Sequence, residues 1–173
     1  ASYAFDDATV FEAMPETTAS DYHSSNIFVG EATDSTVIAY VKFDISKISG
    51  QIVNNVEFST RSDMQDGKTM TVKLTEANAD FTRDTTDWNN KPSSSGELAT
   101  TVYDENSGRK VFTPVGSALV DYVNSQLLLG KKELAFAIKY KSGDGDQFKW
   151  AAGKGDGSWG PMLEMDFGPG NPV

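Results

Sequence analysis

The chain has 173 residues, with 15 Lys plus Arg against 25 Asp plus Glu, one His and no Cys. That length suits one domain, and a formal charge of −10 argues against nucleic acid as a partner, because phosphate binding needs a basic surface. The lack of Cys removes disulfides, thiol nucleophiles and Cys-ligated zinc, and it is compatible with a secreted bacterial protein that folds without oxidation.

Taken in chain order, the dominant pattern is short alternating segments between turn signals. The N-terminal stretch Ala1–Val10 lacks the basic start and long apolar run of a signal peptide, which is expected of a mature protein or an excised domain. Ile38–Phe43 places Ala39, Val41 and Phe43 on one side and Tyr40 and Lys42 on the other. Val56 and Phe58 turn inward from Glu57, Ser59 and Arg61, and Met70, Val72 and Leu74 turn inward from Thr71 and Lys73. Leu134, Phe136, Ile138 and Tyr140 alternate with Ala135, Ala137, Lys139 and Lys141, and Leu163, Met165 and Phe167 close the series. A period of two marks half-buried strands. Ser49-Gly50, Asp66-Gly67, Ser107-Gly108 and Gly143-Asp144-Gly145-Asp146 supply turns between them. Many short strands at this spacing predict an all-β antiparallel sandwich of the jelly-roll kind.

One segment departs from the pattern. Val115, Leu119, Val120 and Val123 recur at helical spacing, which predicts one short helix around Val115–Asn124, begun by Thr113-Pro114 and stopped near Gly130. Residues 1–167 are read as one module and 168–173, rich in Gly and Pro, as the start of a linker. No apolar run approaches the roughly 18–20 residues of a membrane span, so no membrane partner is expected.

Catalytic signals are lacking. His23 is the single histidine, and Asp21-Tyr22-His23-Ser24-Ser25 supplies triad residue types only as sequence neighbours, which seldom reach triad geometry. A calcium loop of the EF-hand kind needs Glu at position twelve; counting from Asp144 gives Gly155 and from Asp104 gives Val115. There is no phosphate loop, nucleophile elbow or His-Glu-x-x-His motif. The chain is therefore read as non-catalytic.

The outward positions carry a different signal. Lys42, Arg61, Lys73, Lys139, Lys141 and Lys149 fall on them although acids outnumber bases overall, while the acids gather in turns. If the strands share a sheet, these six cations form one patch with Tyr40 and Trp150 beside it, suited to a polyanion. Lysines also protect exposed sheet faces against aggregation, and a sandwich divides its strands between two sheets. Trp159, between glycines, is a candidate platform for a sugar ring, whereas Trp88 reads as the core anchor of a long loop.

Four pieces in order carry a family resemblance. Ile38-Ala39-Tyr40-Val41-Lys42-Phe43-Asp44-Ile45 is similar to the "AYLKFDLS" strand of the DNRLRE domains, also classed as carbohydrate-binding module family 96. Asp7-Ala8-Thr9-Val10 with Ser25–Gly30 resembles the opening "DAYV … SSTLYVG", and Thr86–Pro92 resembles "TWNNKP". Lys110-Val111-Phe112-Thr113 with Val120 and Val123 resembles the strand-to-helix step. Two departures stand out: Thr17–His23 lacks the usual Asn-Tyr-Gly, and Trp150–Lys154 replaces the usual Ser-Arg-Glu.

The resemblance implies a monomeric β-sandwich module of secreted bacterial polysaccharide-degrading enzymes, notably alginate lyases. Its partners would be an acidic polysaccharide such as alginate and a catalytic domain in the same parent chain; a sulfated fucoidan would fit the cationic outward positions equally well. It further implies a structural calcium between the terminal strands, expected here on Asp7 and Asp166. The competing reading is a ligand-free architectural spacer of a large cell-surface protein.

Overall fold

The computed structural model describes residues 2–22, 26–62, 67–145, 149–153 and 158–167. In chain order its elements are β1 (Ser2–Tyr3), β2 (Asp6–Phe11), β3 (Asn26–Val29), β4 (Val37–Asp44), β5 (Asn55–Ser62), β6 (Met70–Ala77) and β7 (Ser94–Tyr103). Then follow β8 (Gly108–Val111), β9 (Thr113–Pro114), the helix α1 (Ala118–Leu128), β10 (Glu133–Gly143), β11 (Lys149–Ala152) and β12 (Met162–Asp166). The strands pair antiparallel in two sheets. The first runs β1-β12-β5-β11-β3, with β8 also on β5; the second runs β2-β4-β10-β6-β7-β9. This is the expected all-β sandwich.

The inward residues read from the alternation meet between the sheets. Val41, Phe43, Val56, Phe58, Met70, Val72, Leu74, Leu134, Phe136, Ile138 and Leu163 are buried in one cluster, with Tyr140, Met165 and Phe167 at its margin. Phe58 stands at its centre, edge-on to Phe112 at 5.0 Å between ring centroids and 5.4 Å from Phe136. Burying such a ring is worth about 1.5–3 kcal/mol.

The helix starts later than the sequence spacing suggests. Thr113 and Pro114 are not its cap and first residue; they pair with Thr100 and Ala99 as the edge strand β9, where a residue without an N–H is tolerated. Gly116, at φ 54°, turns the chain left-handed, and the helix begins only after Ser117. It ends as expected, with Gly130 at φ 71° one residue past the C-cap. Leu119, Tyr122, Val123 and Leu127 face the core, and the Asn124 amide bonds both N–H and C=O of Val53, closing one end of the sandwich.

The outer face of the second sheet is partly roofed. The 78–93 loop packs Phe81 and Trp88 over Ile38 and Tyr40 of β4, Ala8 and Val10 of β2, and Ala135 and Ala137 of β10. Its Thr86–Pro92 segment is held by reciprocal bonds: Asp87 N–H donates to Asn90 Oδ1 at 2.8 Å, and Asn90 N–H to Asp87 Oδ1 at 3.0 Å. Asn90 Nδ2 also donates to Thr85 O at 2.9 Å. A second apolar cluster thus forms outside the sandwich core.

Candidate functional site

Where the roof ends, β6 and β10 emerge. Lys139 and Lys73 are register partners there, and Thr100 of β7 stands next to Lys73. Lys91 joins them from the rim of the loop; its ammonium lies 3.9 Å from the Trp88 ring centroid and donates to Trp88 O at 3.2 Å. Burial lowers the Lys139 pKa, and the charges of Lys73 and Lys91 lower it further. Among the described residues no carboxylate lies within ion-pair distance of Lys73, Lys91 or Lys139. Lys141, beyond the bulge after Tyr140, is exposed and bonds Glu97 at 3.0 Å. The arrangement is a half-desolvated cluster of like charges beside an indole, which would receive anionic groups on a chain with apolar faces.

The six expected cations do not share this face. Lys73, Lys139 and Lys141 do, but Arg61 belongs to β5 and Lys149 to β11, both in the first sheet. Trp150 is also on β11, its backbone paired with Phe28, and the side chains of Lys149 and Trp150 lie outside the described residues. Tyr40 and Lys42 point outward as their parity requires, but the loop covers them. Tyr40 is fully buried, donates to Pro92 O at 3.2 Å and packs 5.6 Å from Phe81; burial pushes its phenol up to about 12. Lys42 donates to Phe81 O at 2.6 Å and Ala79 O at 3.0 Å, and pairs with Glu133 at 3.2 Å. These two residues hold the roof rather than offer a surface.

The calcium pair is not brought together either. Asp7 on β2 is fully buried and paired with Arg83 at 3.0 Å, while Asp166 is exposed at the end of β12. Because β1 pairs antiparallel with Leu163 and Met162, the chain leaving Tyr3 runs past Pro161, away from Asp166. Four residues of strand from Met162 to Asp166 already span about 13 Å, too far for one ion to reach both. Among the described residues no group of three or more His, Asp or Glu side chains could hold a metal. His23 lies outside the described residues.

Sequence reasoning missed Lys91 as a member of the cluster, although it stands inside the Trp-Asn-Asn-Lys-Pro piece. Trp88 is the loop anchor it was read to be, and it also borders the lysines. Beside the first sheet stands an exposed aromatic: Trp159 is 56% exposed, with the Arg61 guanidinium 3.7 Å from its ring centroid.

The chain belongs to carbohydrate-binding module family 96, whose family model matches residues 2–163. No curated protein matches it.

Proposed function

We infer that the module binds an acidic polysaccharide along the open part of the second sheet, through Lys73, Lys91 and Lys139, with Lys141 at the margin. The observation that carries this reading is the cluster itself. Three cations crowd together, one with a depressed pKa, and no carboxylate among the described residues neutralises them. A uronate or sulfated chain would supply the missing anions. Lys91, held over the Trp88 ring, keeps its ammonium in a fixed place at the rim of this face. In this reading the module serves a secreted polysaccharide lyase or hydrolase, raising the local substrate concentration for a catalytic domain in the same chain.

Affinity electrophoresis in gels containing alginate, fucoidan or neutral glucan tests the reading. Retardation is expected in an acidic polymer and not in neutral glucan. Each exposed contact contributes about 0.2–1 kcal/mol, so Lys73→Ala with Lys139→Ala should weaken binding by about 2- to 30-fold. Lys141→Ala should do less, because that ammonium is already paired with Glu97. Wild-type retardation of the folded double variant would place the site elsewhere, and no retardation by any polymer would favour the architectural spacer.

A further inference from the structure

The opposite sheet carries a second, separately built surface. Trp159 rises from the 158–160 turn with one face of its ring against Arg61 of β5. With 56% of the residue exposed, the indole stays accessible to solvent although Arg61 lies on it. The turn is not loosely attached. Arg109 of β8, the register partner of Arg61, donates through Nη2 to Ser158 O at 3.3 Å and Gly160 O at 3.2 Å. Through Nη1 the same guanidinium donates to Ser59 Oγ at 3.0 Å and Ser59 O at 3.4 Å. One side chain therefore clamps both flanks of Trp159 to the sheet, and a second props the ring. An aromatic fixed in this way loses little rotamer freedom on binding, which is what a preorganised platform requires.

We propose that Trp159, propped by Arg61 and clamped by Arg109, is a second carbohydrate site that takes a single pyranose ring through its C–H face. This goes beyond the lysine face, because it rests on stacking and not on charge. Arg109 feels the opposing charges of Glu164 on β12 and of Arg61 beside it. The site discriminates by the shape of the ring it stacks, a contact that survives when salt screens the arginines. The two surfaces lie on opposite sheets of the sandwich, so one extended chain cannot lie on both, and the module holds two sugar segments independently.

The test titrates a short mannuronate oligomer into the whole module at low salt and at about 1 M salt, where the screening length falls to about 3 Å and the lysine face is silenced. Wild type, Trp159→Ala, Trp159→Phe and Lys73→Ala/Lys139→Ala are compared by calorimetry and by the Trp159 indole N–H resonance. At high salt, wild type and the double lysine variant should keep the same weak binding. Trp159→Ala should lose it at least tenfold, and Trp159→Phe, which keeps a flat ring, should recover part of it. The exposed position of Trp159 lets the Ala variant fold, as its unchanged melting temperature would verify. Absence of high-salt binding in the wild type overturns the proposal, as does high-salt binding that survives Trp159→Ala. The lysine reading fails separately, through an unchanged low-salt affinity in the double lysine variant.

Discussion

Lys42 and Lys139 leave the same face of the second sheet, yet their surroundings set them different tasks. The Lys42 ammonium satisfies two loop carbonyls and one carboxylate under the roof. Lys42→Ala strands those carbonyls, at about 1–3 kcal/mol for each buried unsatisfied group. The variant should be less stable by a total of about 2–6 kcal/mol in a urea titration, while its affinity for acidic polymer when folded stays at the wild-type level. Lys139 behaves oppositely. Its pKa is lowered by burial first and by Lys73 and Lys91 next, so the folded state holds this proton less tightly than the unfolded chain does. The cost of that crowding is present at neutral pH and is relieved as pH rises through the depressed pKa toward the ordinary lysine value. A bound polyanion favours the charged form and raises the pKa again. Binding just above the depressed pKa should therefore take up protons, visible as a dependence of the calorimetric enthalpy on the buffer's ionisation heat. Lys73→Ala/Lys139→Ala should abolish that dependence.

The difference between these two lysines was legible in β4. Val37-Ile38-Ala39-Tyr40-Val41 is apolar at every position, the pattern of a strand buried on both faces, and the facing Ala135 and Ala137 of β10 are small enough to lie under a cover. The inward set followed from period two because one face of each strand had to be dry. The outward set did not follow, because apolar outward positions in β4 mark a cover without showing how far the roof, which returns some 40 residues later in the chain, extends over β6 and β10. The division of the six cations between two sheets is likewise a matter of topology: β5 and β11 enter one sheet, β6 and β10 the other. The helix start was misplaced because Thr113-Pro114 satisfies a capping signal and an edge-strand role equally well; Gly116 was the better marker. The Thr86–Pro92 segment shows what its motif is for. Asn90 ties Asp87 and Thr85 into a closed turn that sets Trp88 inward and Lys91 at the rim. Asn90→Ala should cost about 1–2 kcal/mol, since two side-chain hydrogen bonds of a partly solvated turn are lost while the backbone N–H at this position still donates to Asp87 Oδ1. It should speed amide exchange across 85–92 and weaken binding to acidic polymer, because Lys91 loses its fixed place. Unchanged exchange there would mean the turn is held by its apolar side chains alone.

The second sheet is the common wall of both apolar clusters, so the roof and the sandwich core should unfold together. Tyr residues report on each side of that wall. Tyr40 lies in the outer cluster, and Tyr103 and Tyr122 in the inner one. Burial pushes the phenols of Tyr40 and Tyr122 up to about 12 and that of Tyr103 higher still. Partners are in place for each neutral hydroxyl: Tyr40 donates to Pro92 O, Tyr122 donates to Ala135 O at 2.6 Å, and Tyr103 shares a 2.7 Å bond with Thr60. Unfolding frees these groups to ionise near 10, so the unfolded chain binds fewer protons than the folded one above that pH. Their contribution to stability is complete below pH 10 and is lost as pH climbs through 10 toward 12. The urea midpoint should accordingly show no tyrosine-linked change between pH 7 and about 9 and then fall steeply. Phenolate absorbance from the buried set should appear only with the loss of near-ultraviolet circular dichroism, in one transition. A phenolate signal that develops while the Phe58 cluster remains folded would show instead that the roof over Tyr40 opens on its own. The lysine face, whose rim is made by that roof, would then be gated by the loop.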